Sequence, residues 1–121
     1  MLFDTTQLAL ERSIEGAGKR HQALAANLAN ANTPGYQRVD VDFHGALAAA
    51  LDGGDKQRLH DVAFNATPDA SAGVTRADGS TVDVDSESAK LAANALEHSA
   101  AVQVAHARIG ILKAAMGTGG Y

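Results

Sequence analysis

Leu24 to Tyr36 read L-A-A-N-L-A-N-A-N-T-P-G-Y, and the end of that string decides the fold. Pro34 disfavours the α conformation at Thr33, and Pro-Gly suits the two central positions of a type II turn, so a helix arriving from the N-terminal side stops near Thr33 and the chain turns sharply. A helix does arrive. Read backwards in alternating steps of three and four, Ala31, Leu28, Leu24, His21, Ala17, Ile14, Leu10, Gln7 and Phe3 form one heptad seam, with Glu11, Arg12, Glu15, Lys19, Arg20 and Gln22 largely off it. Glu15 and Lys19 have the spacing of a favourable ion pair. Gly16 and Gly18 interrupt this helix. Each costs roughly 0.8 to 1 kcal/mol there relative to Ala, and marks either a weakened helix or close approach by a neighbouring one.

Downstream of the turn, Val39, Val41 and Phe43 alternate with Asp40 and Asp42, an extended signal, and Phe43 to Leu51 offers a short Ala-rich helical stretch. Asp52 to Ser80 is polar and broken by Gly53-Gly54, Thr67-Pro68, Gly73 and Asp78-Gly79, which reads as a loop or a very small β-rich excursion. Thr81 to Asp85 alternates again, and Asp78-Gly79 ahead of it is placed to close a hairpin. Asp85 or Ser86 then suits an N-cap, with Glu87 in the first turn favourable to the helix dipole. A second seam follows at Ser88, Leu91, Ala95, His98, Val102, Ala105, Ile109, Leu112 and Met116, before a Gly-rich stop from Gly117 to Tyr121.

Three segments result: 1–34, a long helix and its turn; 35–85, acidic and mostly irregular; and 86–121, a second long helix with its tail. The predicted class is all-α, with the two long helices paired as an antiparallel coiled-coil hairpin around an irregular or small β-containing middle. That pair is under-driven on its own, because its seams carry Gln7, His21, Ser88, His98 and several alanines. Ala25, Ala26, Ala92, Ala93, Ala100 and Ala101 widen the apolar faces, which suits helices that pack on several neighbours and points to a subunit of an assembly.

The 121 residues suffice for one domain. Ala fills 26 positions, while Leu, Ile, Val and Phe together fill 25, so large core-formers are scarce and the isolated chain is expected to be marginally stable. The absence of cysteine excludes disulfides and thiolate chemistry. The formal charge of -4 is unevenly placed: residues 35–85 hold nine Asp and no Glu against four basic residues, and no basic face exists for nucleic acid or anionic lipid. Neither a cleavable secretory signal nor a membrane span is visible.

Catalysis finds little support. His21, His44, His60, His98 and His106 show no metal-ligand spacing, and the two Asp-Val-Asp triplets, 40–42 and 83–85, lack the Gly and Glu of a calcium loop. No nucleophile elbow, phosphate loop or dinucleotide fingerprint occurs. No catalytic residue, metal or cofactor is expected.

Asn27, Asn30 and Asn32 carry amides able to satisfy free carbonyls at a helix end or to bond across to another helix. The whole string from Leu24 to Tyr36 resembles the signature of the bacterial flagellar axial proteins, whose N-terminal helix ends in a similar A-N-L-A-N-A-x-T-P-G-Y. Distal rod and hook members of that family insert large β domains, whereas the middle here is short. With Asp40-Val41-Asp42-Phe43 and Asp78-Gly79 followed by Val82-Asp83-Val84-Asp85, the chain is similar to the proximal rod subunits of FlgB type; the FlgC type is the alternative, and a soluble coiled-coil adaptor or export chaperone the next.

The resemblance implies a structural subunit of the basal-body rod, exported unfolded through the flagellar type III apparatus without a cleaved signal and polymerising in the periplasm to transmit torque. Its implied partners are other copies, rod proteins of the FlgC, FlgF and FlgG types, and a FliE-type adaptor. The expected subunit interface comprises Leu10, Ile14, Leu24, Asn27, Leu28, Asn30, Leu91, Val102, Ile109 and Leu112, with the motif turn at Asn32, Thr33, Pro34, Gly35 and Tyr36. Phe43 and Leu47 fit the spacing of a Phe-x-x-x-apolar export element.

Overall fold

The computed structural model describes residues 4–69 and 75–118. Its elements are α1 (Thr5–Ala29), β1 (Val39–Asp40), α2 (Phe43–Asp52), α3 (Lys56–Asp61), β2 (Thr67–Pro68) and α4 (Val84–Thr118). Phe3, the expected start of the first seam, lies outside the described residues.

The two long helices pack antiparallel, as three polar contacts show. Asn27 near the end of α1 reaches Glu87 at the start of α4 (3.2 Å), the Asn94 side chain donates to the Ala17 carbonyl (2.8 Å), and Arg108 donates to Asp4 just before α1 (3.0 Å). Asp4 caps α1 by accepting from the Gln7 N–H at 2.8 Å. That bond and the Arg108 guanidinium hold its carboxyl below the usual range.

The expected first seam faces inward at Gln7, Ala17 and Leu24 on α1 and at Ala31 just past its end, which are buried, and at Leu10, Ile14 and Leu28, which are half-buried; only His21 is exposed among the described positions. On α4 the rhythm is right and one set of positions is not. The inward line is Glu87, Leu91, Asn94, His98, Ala101, Ala105, Arg108 and Leu112, while the predicted Ser88, Ala95, Val102, Ile109 and Met116 are exposed. Glu87, Asn94 and Arg108 each bond to α1 or its flanks, so polar pairing rotates the helix and leaves Val102 and Ile109 outside.

The middle segment folds onto the other side of α1. Phe43, Leu47, Ala50, Leu59 and Phe64 are buried with Val41, Ala17 and Ala23 in the core cluster. The Phe43 and Phe64 rings meet edge-on at 6.4 Å, and the Arg12 guanidinium lies 5.4 Å from the centre of the Phe64 ring. Gly16 permits this packing: a Cβ there would stand 2.6 Å from Phe43 Cβ, so the close approach comes from α2 of the same chain. α1 runs unbroken through both glycines.

Several local expectations are corrected. Lys56–Asp61 forms a one-apolar-residue helix, capped by Asp55, inside the stretch read as irregular. The small β element expected in the middle is present: the two-residue strands pair antiparallel, Val39 with Pro68 and Asp40 with Thr67. Thr81 to Asp85 forms no strand; α4 begins at Val84, and Asp83, not Asp85 or Ser86, caps it by accepting from the Asp85 N–H at 3.1 Å. Glu15 pairs with Arg12 in the observed geometry, one turn before it, and not with Lys19. α4 runs to Thr118, within the expected Gly-rich stop from Gly117 to Tyr121, whose last three residues lie outside the described residues.

Candidate assembly surface

The motif turn is built from its own sequence. The Asn30 N–H donates to the carbonyls of Ala26 (3.0 Å) and Asn27 (3.2 Å), its side chain donates again to Ala26 (2.8 Å), and Thr33 Oγ1 donates to Asn30 Oδ1 (3.2 Å). Gly35 has φ 73°, and the Tyr36 N–H donates to the Thr33 carbonyl at 3.2 Å, the closure of a type II turn. A second turn braces it. The Gly35 N–H donates to Asp78 (2.8 Å), Arg76 donates to the Ala31 carbonyl (2.7 Å), and a Cβ on Gly79, itself at φ 83°, would lie 3.3 Å from Gly35 Cα. Asn32, Thr33, Pro34 and Gly35 remain exposed on this rigid platform.

Behind the turn lies a buried polar network. Asn27, wholly enclosed, donates to the Val39 carbonyl (2.6 Å) and accepts from the Val39 N–H (2.9 Å), which ties the end of α1 to β1 as a strand partner would. Arg38 donates through Nε to Glu87 (2.5 Å), through Nη2 to Asp40 (3.3 Å) and through Nη1 to Asp69. Its side chain is 4% exposed and that of Glu87 1%, so each charge depends on the other for stabilisation. Burial would lower the Arg38 pKa, but the carboxylates outweigh it and raise it. Burial likewise would raise Asp40, yet bonds from Arg20 at 2.9 and 3.3 Å, from the Val41 N–H and from Arg38 hold it below the usual carboxylate range.

The expected interface residues thus divide. Leu24 and Asn27 are enclosed by the chain itself. Leu10, Ile14, Leu28, Asn30, Leu91 and Leu112 are half-buried, most of them along the α1–α4 seam. Val102 and Ile109 are open. They belong to a wider set of large exposed apolar side chains on α4, Val84, Leu96, Val102, Val104, Ile109, Ile111 and Met116, which are 40% to 74% exposed. α4 continues past Arg108, which meets Asp4 at the start of α1. Phe43 and Leu47 are buried in the core.

Arg38 and Glu87 escaped the sequence reading. Glu87 was visible only as an acidic first-turn residue and Arg38 as one charge in an acidic segment, and nothing local links positions 49 residues apart. Among the described residues no group of three or more His, Cys, Asp or Glu side chains is placed to hold a metal ion, and no helix is long and apolar enough to cross a membrane.

The family model described as flagella basal body rod protein matches residues 19–37, which are the last turns of α1 and the braced turn. The flagellar basal body rod protein FlgB of Aeromonas hydrophila is 33% identical over 111 residues, covering 82% of this chain and 83% of that protein. The chain belongs to the FlgB family of flagellar basal body rod proteins. The FlgB of Proteus mirabilis strain HI4320 is 29% identical over 84% of this chain and 85% of its own length, and that of Escherichia coli K12 34% identical over 66% and 70%. As a FlgB-family rod protein the chain is a structural subunit of the flagellar basal body rod. These relatives decide for the FlgB type over the FlgC type and over a soluble adaptor.

Proposed function

We propose that this rod protein works by helix packing alone and has no catalytic role. It joins its neighbours through the outer faces of α4 and the exposed motif turn, and passes torque along the rod through those contacts. The observation that carries the reading is the row of large apolar side chains left open on α4, in a chain otherwise short of them. A solvent-exposed Ile111 at 69% and Leu96 at 74% are unfavourable for a solitary molecule and become favourable when a neighbour removes them from water, at roughly 25 cal/mol per Å² of apolar surface buried.

The neighbours we assign are other copies, rod proteins of the FlgC, FlgF and FlgG types, and a FliE-type adaptor, met in the periplasm after export as an unfolded chain through the flagellar type III apparatus. Support for unfolded export is physical: the chain has no disulfide, few large core side chains, and helices whose outer faces await partners. Phe43 and Leu47 are the proposed export element, readable only while the chain is unfolded.

Ile109→Asp tests the assembly reading. Because Ile109 is 41% exposed, the isolated variant should keep its far-UV circular dichroism and melting temperature, while incorporation into basal bodies and motility are lost through burial of an unpaired charge. Motile cells with normal basal bodies would overturn the reading.

A further inference from the structure

The open apolar side chains of α4 form two flanks. Val102, Ile109 and Met116 follow Ala95 at seven-residue intervals on one side of the line that faces α1, and Val104 and Ile111, also seven apart, lie on the other side of it. The first flank runs into a groove of about 370 Å³ between the long helices, lined by Gly18, His21 and Gln22 from α1 and by Asn94, Ala95, His98 and Ser99 from α4. From Ala95 to Met116 this track is about 31 Å long at ~1.5 Å per residue.

Two further observations mark the walls of this groove. Gly18 has a helical backbone, and a Cβ added to it would find no described atom within 4 Å, so the chain's own packing does not require glycine there. Asn94 is 1% exposed and gives its amide N–H to Ala17, yet its Oδ1 has no hydrogen-bond donor among the described residues. The glycine notch on the α1 side of the groove suits the backbone-close approach of another helix.

The occupant must be a helix that carries large apolar side chains at heptad spacing. Within the described residues α1 cannot supply it, because its exposed positions are polar or alanine: Thr5, Thr6, Glu11, Glu15, Lys19 and Gln22 among them. The Val104 and Ile111 flank of α4 can. Between Ser99 and Leu112 the only charged side chain besides His106 is Arg108, which is bonded to Asp4 and Gln7, so two such helices meet without like-charge repulsion.

We infer that α4 of one copy lays its Val104 and Ile111 flank along the Ala95 to Met116 track of the next, with its backbone over Gly18. The inference rests on the rod reading above and adds which copy meets which face. Different surfaces are used on the two copies, so the contact is head-to-tail and propagates, where a self-complementary contact would stop at a dimer.

The chain lacks cysteine, so Val102→Cys labelled with benzophenone maleimide gives one photoreactive site on the full protein. Irradiating a concentrated equal mixture of ¹⁴N and ¹⁵N copies should yield adducts between copies that map to the Val104 to Ile111 stretch. Adducts between copies that map instead to the Val102 flank, or adducts within one copy only, would overturn the inference. Gly18→Leu should leave the helical signal intact and lower the yield between copies about tenfold, equivalent to ~1.4 kcal/mol; an unchanged yield also overturns it. If the same label in cells captures only a different rod component in motile bacteria, the head-to-tail contact is refuted while the rod reading stands. Motile Ile109→Asp cells refute the assembly reading through α4 itself.

Discussion

Gly16 and Gly18 stand two residues apart on one helix, yet a methyl group would meet opposite surroundings at the two sites. At Gly16 it would strike Phe43 Cβ at 2.6 Å, and overpacking of that kind costs about 1 to 3 kcal/mol against the ~1 kcal/mol gained in helix propensity. Gly16→Ala should therefore lower the melting temperature and Gly18→Ala should raise it; the same sign for both in thermal denaturation would show that Phe43 does not sit as described. Arg38 is the other decisive residue. Arg38→Met strands Glu87 as an unpaired buried charge, which should cost about 3 to 5 kcal/mol in urea unfolding, and most of that loss should return in Arg38→Met/Glu87→Leu. A double variant as unstable as the single one would place the loss elsewhere than in the stranded carboxylate.

At the scale of elements, Asp40 ties β1 to α1 through Arg20, and its lowered pKa gives that tie a pH dependence. A depressed carboxyl stabilises the fold above its unfolded value of ~3.9, and the contribution disappears as pH falls through the lower folded value. Asp40→Asn should be less stable than the parent at pH 7, and the gap between their urea midpoints should close below about pH 4. A gap independent of pH would remove the carboxylate from the explanation. The helices themselves were legible because α1's seam and the Pro34-Gly35 turn are local signals, although α1 ends at Ala29, before the Thr33 that Pro34 alone suggests. The face of α4 was legible only in part. Counting apolar residues favours Val102 and Ile109 over Ala101 and Arg108, but the rotation follows polar partners distant in sequence, Asn94 with Ala17 and Arg108 with Asp4. α3 was missed because its single buried residue, Leu59, gives no periodicity to read.

For the molecule as a whole, cover is uneven. α1 is packed by α4 on one side and by the Phe43 cluster on the other, whereas beyond Arg108 α4 leaves Ile109, Ile111 and Met116 exposed. Native-state hydrogen exchange on the isolated protein should therefore find the amides of Ala17 to Leu24 and Phe43 to Ala50 most protected and those from Ile111 to Met116 least, with the latter slowing on assembly. Equal protection along α4 in the free chain would mean that it needs no neighbour. The burial of Phe43 and Leu47 has a consequence for timing. If the exporter reads those two side chains, the address is written on the inside of the envelope: a copy that closes too early can no longer be posted, and one that has arrived and closed cannot be sent again.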